Sequence, residues 1–104
     1  MHSSPVQIMT VAEVLPEYRD EVLVELSELV ELCRQEEGCL RLDLYCDASH
    51  PCQLNTIEVW DSRESHARHL DSRLLGHGIL GMIGKFKGLP TIRLLKPINE
   101  LPEE

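Results

Sequence analysis

The chain has 104 residues, 42% of them hydrophobic and 27% charged, the profile of one ordinary globular domain over 1–104. Eighteen acids against ten Lys and Arg give a formal net charge of −8, and eight of those acids fall within residues 17–37. Such a surface repels phosphates and anionic headgroups, so no nucleic-acid partner and no membrane partner are expected.

The N-terminal MHSSPVQIM lacks the basic and long apolar regions of a signal peptide, and nothing approaches the ~20 apolar residues of a membrane span. The expected location is cytoplasmic. Cys33, Cys39, Cys46 and Cys52 then read most simply as free thiols.

Val6 to Val14 reads as a strand with Val6, Ile8, Thr10, Ala12 and Val14 on one face. The other face, Gln7, Met9, Val11 and Glu13, is also partly apolar. Pro16 suits a helix start, and residues 17–37 form the clearest helix. There Val22, Leu23, Leu26, Leu29, Val30 and Cys33 recur at helical steps between acids, which read as a solvated face. Gly38 follows as a stop.

Cys39 to Cys46 alternates again, with Leu40, Leu42 and Leu44 opposed to Arg41, Asp43 and Tyr45. The five residues Asp47 to Pro51 carry turn chemistry. Gln53 to Trp60 is the next strand, with Leu54, Thr56, Glu58 and Trp60 on one face and Asn55, Ile57 and Val59 on the other. The two strands are expected to pair as a hairpin. Asp61 or Ser62 can cap the helix that carries His66 and His69. A second, glycine-dotted helical piece covers roughly 72–86, a last strand runs from Thr91 to Lys96, and the tail NELPEE reads as loose.

The resulting order, β-α-β-β-α-β, is the ferredoxin-like α+β plan: a four-stranded antiparallel sheet with helices on one face. Its other face would leave Ile57 and Val59 uncovered. A second copy of the sheet is the simplest cover, so a homodimer is expected.

The chemistry-bearing stretch is VWDSRESHARHL. His66 and His69, three apart on a helix, share a face. They could be metal ligands, a base with a neighbour, or two solvated side chains. The H-x-x-H spacing alone is weak evidence for a metal, and no metal site is assigned. Trp60, Glu58 and Thr56 alternate onto the strand face just before that helix. If the helix folds back over them, a tryptophan, a carboxyl and a histidine would suit an aromatic ligand with acidic hydroxyls. The plain alternative for Trp60 is core packing. Cys46 and Cys52 flank the turn without a second pair at zinc spacing, and their pairing stays open. Gly78, Gly81 and Gly84 match no phosphate-loop pattern and suggest a helix with a small-residue face. Met82, Ile83 and Phe86 would line the core or an apolar pocket. No nucleotide, haem or flavin motif is present, and no cofactor is assigned.

The stretches EEGCLRLDLYCD and IEVWDSRESHARHLDS resemble the antibiotic biosynthesis monooxygenase family. The matching residues are Glu37 and Gly38 before a strand, Glu58 and Trp60 closing the next, then His69, Leu70 and Ser72 on the helix. Lys96-Pro97-Ile98 agrees as well, so the likeness spans roughly 5–98. It implies a dimeric α+β barrel with a pocket between sheet and helices. It also implies oxidation of a small quinol or polycyclic phenol by O2 without flavin, haem or metal. On that resemblance His69 is the proton acceptor and Glu58 an orienting partner or second acid. Trp60 is an aromatic wall, with Thr56, Tyr45, His66, Met82 and Phe86 as further substrate contacts; Tyr45 could instead face the barrel between subunits. The haem-degrading pattern, with an Asn on the first strand and a Trp on the helix, is not matched, because VQIMTVAEV has no Asn and His69 occupies the helix position. His66 stands where the family carries an apolar residue, implying either a more polar pocket or a more exposed helix face. Two other functions stay open: an isomerase using the same His and Glu, and a non-catalytic small-molecule-binding, stress-responsive dimer.

Overall fold

The computed structural model describes residues 4–99, so the tail from residue 100 onward lies outside the described residues. The elements are β1 (Val6–Glu13), a 3₁₀ turn (Pro16–Tyr18), α1 (Arg19–Cys33), β2 (Cys39–Asp47) and β3 (His50–Trp60). They continue with α2 (Arg63–Leu70), α3 (Arg73–Leu80) and β4 (Thr91–Leu95). The sheet order is β2-β3-β1-β4 with every neighbouring pair antiparallel, which is the ferredoxin-like α+β arrangement.

Period-two alternation sets the two faces. Register places Ile8 opposite Glu58 and Thr10 opposite Thr56, so these residues share the helix-covered inner face with Leu42, Leu54 and Trp60. The buried core joins Leu42 and Leu54 to Val22, Leu29, Val30 and Cys33 of α1 and to Met82. Each such aliphatic side chain contributes roughly 1.5–3 kcal/mol on burial. On the outer face Met9, Val11, Ile57 and Val59 are only half-buried, and among the described residues no helix packs over them.

Four local expectations are corrected. The first helix ends at Cys33, not residue 37: Gln35 N and Glu36 N donate to Leu32 O and Cys33 O, three residues back, tightening the last turn. Gly38, at φ +89°, then turns the chain, and a Cβ there would lie 2.2 Å from Ser65 Oγ. The hairpin loop is two residues, Ala48 and Ser49, rather than five, because the Asp47 carboxylate accepts from Ser49 N (3.0 Å) and Oγ (2.7 Å) and Asp47 pairs with His50. Leu40 falls at a register shift between Cys39 and Arg41, which leaves it 61% exposed and turns Cys39 toward the core. The glycine-dotted helix stops at Leu80, not 86. Beyond it Val14 bridges to Phe86, and Leu15 N and Lys87 N donate to Lys85 O and Glu13 O. Of the three spaced glycines, Gly78 serves close approach, since a Cβ there would stand 2.7 Å from Leu29 Cδ2 on α1.

Among the described residues no helix is long and apolar enough to cross a membrane.

Candidate functional site

A cavity of about 450 Å³ lies between the inner face of the sheet and the helices. Its wall is mostly aliphatic, and two strands and one helix bring polar groups to it: Thr10 on β1, Thr56 and Glu58 on β3, His66 and His69 on α2. Met82 and Phe86, from the stretch after α3, close one side. A largely apolar cavity with a few convergent polar groups is the usual form of a small-molecule site.

Strand β3 delivers Thr56, Glu58 and Trp60 to the same face at successive alternate positions. The chain then turns at once into α2, whose cap is Ser62, with Ser65 N donating to Ser62 Oγ at 3.1 Å. Residues three apart on this helix share the face it turns to the sheet, so His66 (9% exposed) and His69 (5% exposed) both enter the interior. The solvated reading of this pair is excluded.

The Glu58 carboxyl is held by the sheet. Oε1 accepts from Trp60 Nε1 at 2.9 Å, and Oε2 accepts from Thr56 Oγ1 at 2.8 Å and Thr10 Oγ1 at 3.4 Å. His69 is held differently. Its ring stacks on the Trp60 indole, with centroids 4.6 Å apart and planes 29° apart. Its Nδ1 lies 2.9 Å from Glu36 Oε2. With Nδ1–H donated to that carboxylate, Nε2 carries the lone pair, the tautomer assigned from the partner. Trp60 therefore braces both the carboxyl and the imidazole.

His66 sits 6.3 Å from both rings by centroid. Burial lowers its pKa from the ordinary 6.5; Glu58 opposes that shift and His69 adds to it. Of the two alternatives for this position, the more polar pocket is the observed one. Cys33 also lines the cavity. Burial and the neighbouring Glu36 push its thiol up to about 12, so it is not a nucleophile at neutral pH.

The structure brings Thr56, Glu58, His66, His69, Met82 and Phe86 to one cavity. It does not bring two other expected contacts there. Trp60 is 0% exposed and stands behind Glu58 and His69 as a support rather than forming the cavity wall. Tyr45 lies on the outer face of the sheet, opposite Asn55, with its hydroxyl accepting from Arg41 Nη2 at 3.1 Å. Alternation explains this position, since Leu44 and Cys46, not Tyr45, share the inward phase with Leu42.

Sequence reasoning missed Glu36, Cys33 and Thr10. Glu36 was one acid among eight on a helix read as solvated. Only the tightened turn before Gly38 carries it to a histidine 33 positions later. A faint signal was the Glu36-Glu37-Gly38 run itself, although the residue singled out there, Glu37, is exposed. Cys46 and Cys52 are free thiols.

The fold and this polar cluster define a small α+β domain with a largely apolar cavity between sheet and helices. A family model for antibiotic biosynthesis monooxygenase matches residues 5–78, and the chain belongs to that family. It is similar to the crystal structure of an antibiotic biosynthesis monooxygenase at 26% identity, covering 90% of this chain and 99% of the other with a TM-score of 0.84. Structures from Pseudomonas aeruginosa and Mycobacterium tuberculosis share the fold. Each is 23% identical over 95% of this chain, covering 99% and 100% of the other chain with TM-scores of 0.84 and 0.83. No curated protein matches the sequence.

Proposed function

We propose that this protein is a cofactor-independent monooxygenase that oxidises a small quinol or polycyclic phenol with O2. The observation that carries this reading is buried His69 at the wall of the cavity, its ring stacked on Trp60 and its Nδ1 paired with the partly buried Glu36 carboxylate. His69 Nε2 accepts the proton of a substrate hydroxyl, and the Glu36 carboxylate stabilises the imidazolium that forms. The substrate anion then gives one electron to O2, the resulting radical pair joins as a C–O bond, and loss of water leaves a quinone carbonyl. Substrate and O2 supply every atom and electron of the quinone and water. The aliphatic wall excludes bulk water from the anion and from the peroxide adduct. His69 returns its proton to the departing hydroxide. Glu58, held by Thr56, Thr10 and Trp60, orients the far end of the substrate or takes a second proton.

We further propose a homodimer formed through the outer sheet face. Half-buried Met9, Val11, Ile57 and Val59 support it, since an apolar sheet face without a covering layer is a poor water interface.

The deciding experiment is oxygen uptake by chelator-treated protein with a panel of reduced naphthoquinols and polycyclic phenols. Uptake above autoxidation that disappears in His69→Ala is the expected result. Background uptake with every compound overturns the monooxygenase reading. Conversion of a substrate without oxygen uptake would favour an isomerase that uses His69 and Glu58 only to move protons.

A further inference from the structure

Cys33, Glu36 and His69 form a second constellation within the same wall. One ligand atom from each, a thiol sulfur, a carboxylate oxygen and an imidazole nitrogen, lie within 4.8 Å of one another. Cys33 and His69 are buried and Glu36 is partly so. Ligand atoms around a tetrahedral zinc ion stand about 3.3–3.8 Å apart, from metal–ligand bonds of about 2.0–2.3 Å. A pair at that limit must therefore close by about 1–1.5 Å, a change that side-chain rotation at both partners can share. Glu36 and His69 are already held at 2.9 Å by a shared proton, which an ion would replace.

We propose that Cys33, Glu36 and His69 are a binding site for one borderline-soft divalent cation, Zn2+ or its spectroscopic substitute Co2+. Mixed sulfur, nitrogen and oxygen donors select such ions over Mg2+ or Ca2+, which take oxygen ligands alone. The three side chains leave a fourth coordination position, and both Cys33 and His69 border the cavity, so water or a substrate hydroxyl can fill it. Two elements supply the ligands. Cys33 ends α1 and Glu36 follows in the tightened turn, which sets them on one side of the chain, and α2 brings His69 across to them. An ion here takes His69 away from Glu36 and so suppresses any proton transfer through that pair. Zinc thus acts as a negative regulator of the cavity and competes with its histidine chemistry. The site does not depend on the oxidation chemistry proposed above, because its occupancy is read without substrate.

The test is anaerobic Co2+ titration of the reduced, chelator-treated full chain, followed by absorption. The expected result is a sulfur-to-cobalt charge-transfer band that saturates at one equivalent. Cys33→Ser abolishes the band, Glu36→Gln and His69→Ala weaken binding at least tenfold, and Cys46→Ser, at the exposed thiol, leaves it unchanged. No band in excess Co2+ overturns the proposal, as does a band that survives Cys33→Ser or is lost in Cys46→Ser. Circular dichroism checks that Cys33→Ser folds. If it does not, Glu36→Gln decides, since its side chain is 20% exposed and its loss leaves the core packed; unchanged affinity there overturns the site.

Discussion

The two faces of one sheet carry the same alternating chain to opposite ends. On β3, Thr56, Glu58 and Trp60 point under the helices, while Asn55, Ile57 and Val59 point away from them. Of the inner set Glu58 and Trp60 are buried and Thr56 half-buried, and its polar atoms are paired: the indole, the Thr56 hydroxyl and the Thr10 hydroxyl of β1 all donate to the Glu58 carboxyl. The outer set is the more aliphatic of the two, yet it is only half-buried and no helix among the described residues covers it. Apolar content alone therefore does not mark a site. What distinguishes the inner face is that polar groups are buried there in fixed mutual geometry, which a protein sustains only where each finds a partner.

Neighbouring residues test that contrast most directly. Trp60→Ala should cost about 3–5 kcal/mol in urea unfolding, because it opens a cavity and removes the support of Glu58 and His69. Val59→Ala, one residue away on the outer face, should cost about 1 kcal/mol or less in the isolated subunit. Equal losses would mean that both faces are core.

Within the inner face the two histidines should separate. His69→Ala should lower kcat by about 10²–10⁴-fold in oxygen-uptake assays, the range for loss of a positioned general base. His66→Ala should stay within about tenfold, since among the described residues it is His69, and not His66, whose ring is hydrogen-bonded to a carboxylate. The reverse pattern would sink the assignment of His69.

Ile57→Asp addresses the outer face. Light scattering should show conversion of a dimer to a monomer of 11.9 kDa, with circular dichroism largely retained. A wild-type protein that is already monomeric would remove the basis for the dimer.

The smallest effect is one of pH. Burial depresses the His66 pKa, so the folded state favours the neutral ring. Above the ordinary value of 6.5 both folded and unfolded chains hold it neutral, and it contributes no slope. Below 6.5 the unfolded chain takes up a proton that the folded chain resists, so stability falls as pH falls. Urea midpoints at about pH 7.5 and 5.5 should differ less in His66→Leu than in the wild type. An unchanged difference would mean that another group carries the acid sensitivity.

Much of this organisation was legible in the chain. The alternation of Leu54, Thr56, Glu58 and Trp60 against Asn55, Ile57 and Val59 marked both faces of β3, and Asp61 or Ser62 marked the start of α2, where Ser62 is the cap used. Helical spacing placed His66 and His69 together. Trp60 lies beside them as expected but behind the cavity wall, because periodicity says which face a side chain takes and not how deep it lies. Tyr45 failed as a substrate contact because alternation puts it on the outer face, while Leu42 and Leu44 take the inward phase.

The sequence by itself determined the element order, the family and the two faces of β1 and β3, because these follow from local periodicity, caps and short motifs; on β2 the register shift at Leu40 lay beyond it. The tertiary structure alone decided that Glu36 leaves the solvated acids to hold His69, that Cys33 joins them, and that Thr10 completes the cradle of Glu58. Those pairings join residues far apart in the chain, and no local pattern encodes a contact that depends on how two elements pack.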